Sequence, residues 1–153
     1  MAFAEVASFF ILFLAAATAI YAAYIDMRDF RIPNGLVLLL AGLFLLHAVL
    51  SGRWVEIHWN LALALLMFAL MLLFYSRNWM GGGDVKILTV AFLWVGFRCA
   101  MPFAILLLLF STIHVIAAKF NLVRVRMAGK RKQIAFAPTV AAAMASIFLL
   151  NCI

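Results

Sequence analysis

The chain has 153 residues, 70% of them hydrophobic and 11% charged, with twelve Lys and Arg against five Asp and Glu for a net charge of +7. Soluble domains run at roughly half apolar and a quarter charged, and disordered chains depart in the opposite direction, so both classes are excluded. In a membrane protein a basic excess records orientation rather than nucleic-acid binding, because Lys and Arg collect in cytoplasmic loops. Cys99 and Cys152 are the two cysteines, too few for a disulfide framework or a zinc cluster, and no redox compartment follows from them.

A spanning helix takes about 20 apolar residues, and the sparse charges cut the chain into pieces near that length. Residues 6–25 lie between Glu5 and Asp26, 35–50 follow a Pro-Asn-Gly break, 57–75 end at Ser76-Arg77-Asn78, and 134–153 close the chain. Residues 87–118 form an apolar run of 32, too long for one crossing and interrupted by Arg98 and Pro102. Splitting it into spans at 87–97 and 101–118 puts Arg28, Arg31, Arg77, Lys86, Lys119, Arg124, Arg126, Lys130, Arg131 and Lys132 on one side. Only Arg53 and Arg98 are left on the other. Ten against two is a strong positive-inside pattern; a single span would leave Arg98 inside the bilayer at about 2.5–3.5 kcal/mol. The sequence therefore predicts an all-α integral membrane protein, a six-transmembrane-helix bundle with both termini on the periplasmic side, forming one domain over residues 1–153. The alternating ten-residue strands of a barrel are missing. A cleaved signal peptide is disfavoured by Glu5, by the long first apolar run and by basic residues that follow it. The basic segment 119–133 reads as an orientation signal against anionic lipid, with an interfacial helix as the other reading.

Of the five acids, Asp26, Asp29 and Asp84 fall on the basic side. Asp26 ends the first helix, where the negative end of the helix dipole disfavours a carboxylate, so capping does not explain it. Asp84 follows Gly81-Gly82-Gly83 and stands where an N-cap would. Three glycines remove the side chains beside it and leave room for an extended substrate. Two carboxylates within a few ångströms do not both ionise: one keeps a proton and polarises a carbonyl while the other activates water.

Asp26 to Asn34, read as D-x6-P-N, and Gly81 to Lys86, read as G-x-G-D-x-K, resemble the type IV prepilin peptidases. Lys132 to Pro138 is similar to that family's I-P-F-G-P element, with Ala135 and Ala137 replacing Pro and Gly. The G-x-G-D unit alone is shared with presenilin-type proteases; both aspartate motifs in order are more specific, and the likeness covers essentially the whole chain. The resemblance implies a prepilin leader peptidase, an intramembrane aspartic endopeptidase that cuts the basic leader from the substrate helix at the cytoplasmic face of the bacterial inner membrane. It implies Asp26 and Asp84 as the catalytic pair, Gly81, Gly83 and Lys86 as motif residues, and Pro33 and Asn34 as neighbours of the substrate. Asp29 reads as a solvated loop acid. Larger members carry an N-terminal methyltransferase region with paired C-x-x-C motifs; without these, no methylation, metal or cofactor is expected. The compact form resembles the tight-adherence (Flp) branch. The expected partners are a prepilin or pseudopilin helix, the lipid bilayer and pilus or secretion assembly proteins, with no nucleic acid.

His47, His58 and His114 lack acids or cysteines at ligand spacing, so a metal site is not expected, and His114 reads as a buried histidine hydrogen-bonded across a helix contact. Arg53, Trp54, Glu56, Trp59 and Trp79 read as interfacial anchors. Met80 stands next to the glycines, with substrate contact and packing both open. The competing functions are a small proton- or cation-coupled transporter using the same aspartates, and an inactive scaffold of a pilus assembly. Against the transporter stands the position of D-x6-P-N at a helix end, since transport sites lie nearer mid-bilayer.

Overall fold

A computed structural model describes residues 2–52, 54–120, 122, 123, 125–128, 131–150 and 152; side chains at 2–4, 54, 55, 125, 127, 128 and 131–133 are not described. Within these residues five helices are found: α1 (Ala2–Asp29), α2 (Asn34–Leu50), α3 (Trp54–Ser76), α4 (Gly82–Lys119) and α5 (Ala137–Leu149). Three helical stretches are long and apolar enough to cross a membrane, Glu5–Asp29, Glu56–Ser76 and Gly82–Lys119, while Asn34–Leu50 and Ala137–Leu149 are shorter apolar helices. Their outward residues are those of a lipid-compatible surface, including Phe9, Phe13, Leu38, Leu66, Ile105 and Leu108. No one face of α1 to α4 collects the apolar residues, since both core and exterior are apolar.

The basic segment excludes one of its two sequence readings, the interfacial helix. Val125–Ala128 and Arg131–Ile134 pair as an antiparallel hairpin, with Val125 opposite Ile134 and Ala128 opposite Arg131. Only Gly129 and Lys130 separate the strands in sequence, a two-residue, glycine-containing connection of the kind that hairpins use. A helix there is excluded, and the helical fold carries one short hairpin ahead of α5.

The fourth and fifth expected spans meet within α4, which has 38 residues. A straight helix of that length measures about 57 Å, nearly twice the hydrocarbon core of a bilayer. Gly96 breaks it, with φ 61° and ψ −176°. Phe92 and Phe103, on either side, stack edge to face with ring centroids 5.2 Å apart, whereas eleven residues of straight helix would separate them by about 16 Å. The two arms of α4 therefore lie side by side. The break falls at Gly96 rather than between residues 97 and 101, and the first arm starts at Gly82 rather than at 87. Gly96 is required twice over: its φ is one that L side chains rarely adopt, and a Cβ there would collide with the Asn60 side chain, whose Cγ stands 2.7 Å away.

The core centres on Trp94, 1% exposed. Its ring meets Phe44 at 5.6 Å and Phe148 at 5.5 Å, and its Nε1 donates to the Leu40 carbonyl at 3.0 Å, so α2, α4 and α5 converge on one indole. Cys99 and Cys152 are joined by a disulfide with Cα atoms 6.0 Å apart. This corrects the expectation drawn from cysteine count: two cysteines make no framework, but helix packing brings this pair within bonding range.

Replacing Gly96 by Ala forces both the backbone and Asn60 to move. Gly96→Ala is expected to destabilise the protein by about 2 kcal/mol or more, read as a lowered midpoint of thermal unfolding in detergent. Gly42→Ala, with nothing within 4 Å of its Cβ position, should leave the midpoint unchanged or raise it.

Candidate active site

Asp26 is delivered by a stripe of small residues. Ala15, Ala19 and Ala22 follow one helical face at intervals of four and three and are at most 2% exposed; one further step of four reaches Asp26, itself 5% exposed. Small side chains let helices approach closely, and α1 packs along α5. Asp26 consequently meets the beginning of α5. The Ala137 amide donates to its Oδ2 at 2.9 Å, and the Phe136 amide is a second backbone donor. A helix start presents free amides and the positive end of the dipole, which suits a buried carboxylate. Asp26 lies three residues inside the end of α1, not at its last residue. The helix closes at Phe30, whose left-handed φ of 52° and amide bond to the Asp26 carbonyl, 2.9 Å, end the run.

Asp84 belongs to the first turn of α4, whose N-cap is Gly81. The expectation of Asp84 as N-cap is thus displaced by three positions. Its carboxylate reaches back to the Gly81 amide, the reciprocal half of a capping box. A Cβ on Gly81 would stand 3.1 Å from Asp84 Oδ2, closer than ordinary van der Waals contact, so glycine there leaves the carboxylate room. A Cβ on Gly83 would meet Ile32 at ordinary contact distance instead.

Both aspartates line one cleft of about 850 Å³, together with Gly81, Gly82, Gly83, Lys86, Trp79, Met80, Ile134 and Phe136, and their carboxylates interact electrostatically. Pro33 and Asn34 line an adjoining pocket with Arg28, Asp29, Arg31 and Arg126. Lys86 Nζ donates to Asn34 Oδ1 at 2.9 Å, which ties the two aspartate motifs to each other. Asp29 is exposed as the last residue of α1 and stands 3.4 Å from Arg28. Trp79, 70% exposed, stacks on Phe74 beneath the Arg77 guanidinium at the mouth of the cleft.

Three contributors escaped the sequence reading. The Ala137 amide comes from the segment in which Ala135 and Ala137 replace the Pro and Gly of the family element; both alanines are buried, at 2% and 1% exposed. Ile134 and Phe136, between hairpin and helix, form a wall of the cleft. His114, on the second arm of α4, interacts electrostatically with Asp26, and the hydrogen bond expected for it is not found at Nε2, which is buried without a partner among the described residues. His47 is instead buried against Trp94, 5.6 Å away. The signals for Ala137 in the sequence are its place in the Lys132 to Pro138 segment and the alanine stripe on α1 that leads to Asp26. Among the described residues no group of three or more His, Cys, Asp or Glu stands close enough to hold a metal ion.

The Lys86–Asn34 bond is testable by a double-mutant cycle. Lys86→Met and Asn34→Leu should each destabilise the purified protein, and the double variant should fall short of their sum by about 0.5–1 kcal/mol. Strict additivity of the unfolding midpoints would mean that the two motifs are not coupled.

No curated protein and no solved structure matches the chain. The profile of the type IV leader peptidase family matches residues 8–118, a stretch that runs from α1 to the end of α4 and carries both aspartate motifs. With nearly three quarters of its length so matched, the chain belongs to the type IV leader peptidase family.

Proposed function

We propose that this leader peptidase is an intramembrane aspartic endopeptidase with Asp26 and Asp84 as its catalytic pair. The observation that carries the reading is that both carboxylates open into the same cleft within electrostatic reach of each other. A pair sharing one proton can work as acid and base together. The ionised carboxylate takes a proton from water as the oxygen attacks the scissile carbonyl, and the protonated one donates to the carbonyl oxygen. As the C=O re-forms and the C–N bond breaks, one hydroxyl of the tetrahedral species returns its proton to the carboxylate that had donated, and the departing amine takes its proton from the acid formed in the first step.

The substrate is a prepilin or pseudopilin of the Flp kind, cut between its basic leader and its hydrophobic helix at the cytoplasmic face of the bacterial inner membrane, in the setting of a pilus or secretion assembly. The cleft suits such a chain: apolar Ile134, Phe136 and Met80 border the aspartates, and the glycines leave backbone room. The surrounding face is basic, so bulk charge does not attract the leader. Recognition rests on the hydrophobic part of the substrate and on local carboxylates such as Asp29. We further propose six membrane crossings, with the two arms of α4 as the fourth and fifth, and both termini outside. This orientation keeps the ten basic residues on the cytoplasmic side.

Co-expression of a prepilin with wild type, Asp26→Asn, Asp84→Asn and Asp29→Asn, followed by gel shift, tests the assignment. The first two variants should lose leader removal by about a thousandfold or more, and Asp29→Asn should keep most of it. Processing by both Asn variants would end the dyad proposal. A reporter fused near Gly129 should read cytoplasmic; a periplasmic reading would contradict the six-crossing arrangement.

A further inference from the structure

The disulfide lies at the opposite end of the bundle from the aspartates. α5 has 13 residues, about 20 Å of helix, and it begins at the Ala137 amide bonded to Asp26 and leads to Cys152. The first arm of α4 likewise starts beside Asp84 and reaches Cys99 just beyond the Gly96 turn. Around the cross-link are Ser51, Glu56 and Arg98 from the turns at that end, with Arg98 3.7 Å from Glu56. Disulfides form and persist in oxidising compartments and are reduced in the cytosol. A bond here therefore puts this end of the bundle on an oxidising side.

We propose that the Cys99–Cys152 bond is installed from the extracytoplasmic side by a thiol–disulfide oxidoreductase, and that it is the far anchor of α5, the helix whose first amide engages Asp26. Cys152 is the more accessible cysteine and follows the last helix, whereas Cys99 is fully buried. The Cys152 thiolate attacks the disulfide of the oxidoreductase and displaces one of its thiolates. The Cys99 thiolate then attacks Cys152 Sγ in the mixed disulfide and displaces the second. Two thiols of the peptidase are oxidised, and the two protons they give up end on the two displaced thiolates of the oxidoreductase, which leaves as a dithiol. The sidedness agrees with the proposed orientation and rests on it only for the name of the outer compartment; none of the measurements below reads peptide cleavage.

Spheroplasts expressing the full chain are blocked with N-ethylmaleimide, denatured, reduced and treated with a maleimide-polyethylene glycol. The bond predicts two adducts after reduction and none without it; no adduct after reduction, which means both thiols were free and capped, or adducts without reduction would overturn the proposal. Treatment of spheroplasts with a membrane-impermeant reductant and then a charged maleimide should remove at least the Cys152 adduct. A requirement for inside-out vesicles would overturn the sidedness. A strain lacking extracytoplasmic thiol oxidase activity should accumulate the reduced form, and full oxidation there would remove the oxidoreductase. For the anchor, hydrogen exchange of the purified protein is compared before and after reduction. The peptide over residues 137–149 should exchange about tenfold faster or more once reduced, while α3 is unchanged. The Cys99→Ser/Cys152→Ser variant should reproduce the reduced pattern. An unchanged α5, or an equal rise throughout α3, would overturn local anchoring.

Discussion

A carboxylate buried in an apolar bundle costs several kcal/mol unless it is hydrogen-bonded or neutralised, and Asp26 sits at 5% exposure on the inner face of α1. The Ala137 and Phe136 amides donate to it, and His114 interacts with it electrostatically. The start of α5 brings the Ala137 amide to Asp26 Oδ2, and this one contact fixes how far α5 slides along α1. Much else follows from it. The alanines on α1 must be small enough for the close approach, and the residues leading into α5 must stay compact, as the buried Ala135 and Ala137 are. Ile134 and Phe136, just ahead of that helix, are then placed as a wall of the cleft.

The second aspartate arrives by a different route. Asp84 is held by its own helix, through the Gly81 amide and the space that Gly81 leaves. The two carboxylates thus share a cleft while being positioned by separate elements, and the Lys86–Asn34 bond links the two motifs outside it. Helix motion between α1 and α4 would change the distance between the aspartates without breaking either local bond. At the far end the indole of Trp94 and the Cys99–Cys152 bond hold α5 against α4, so its two ends are fixed by unlike chemistry.

The sequence made the helices legible because charges and Pro-Asn-Gly breaks punctuate an otherwise apolar chain. The expected span at 35–50 differs by one residue from Asn34–Leu50. It misplaced the break in α4, since Arg98 and Pro102 drew attention away from Gly96. A single glycine in an apolar run does not announce a positive φ, and only the Asn60 side chain beside it explains why that residue carries the turn. The hairpin was hidden by its charge, which reads as a solvated segment whatever its backbone does. The motif aspartates were visible, yet the amide partner of Asp26 was not: a backbone donor leaves no trace in residue identity, and Ala137 looked like a departure from the expected motif. The disulfide was missed for a related reason, because a count of two cysteines carries no information on whether packing brings them together.

The central claim is that Asp26 and Asp84 jointly hold the tetrahedral centre formed at the scissile carbonyl. The most direct measurement is inhibition by a prepilin peptide in which the scissile amide is replaced by a hydroxyethylene group, with binding to wild type, Asp26→Asn, Asp84→Asn and Asp29→Asn compared in vesicles. The dyad predicts that this peptide binds wild type and Asp29→Asn at least about a hundredfold more tightly than the parent peptide, and that either dyad variant abolishes the advantage. Equal binding by all four proteins, or no gain over the parent peptide in wild type, would contradict it.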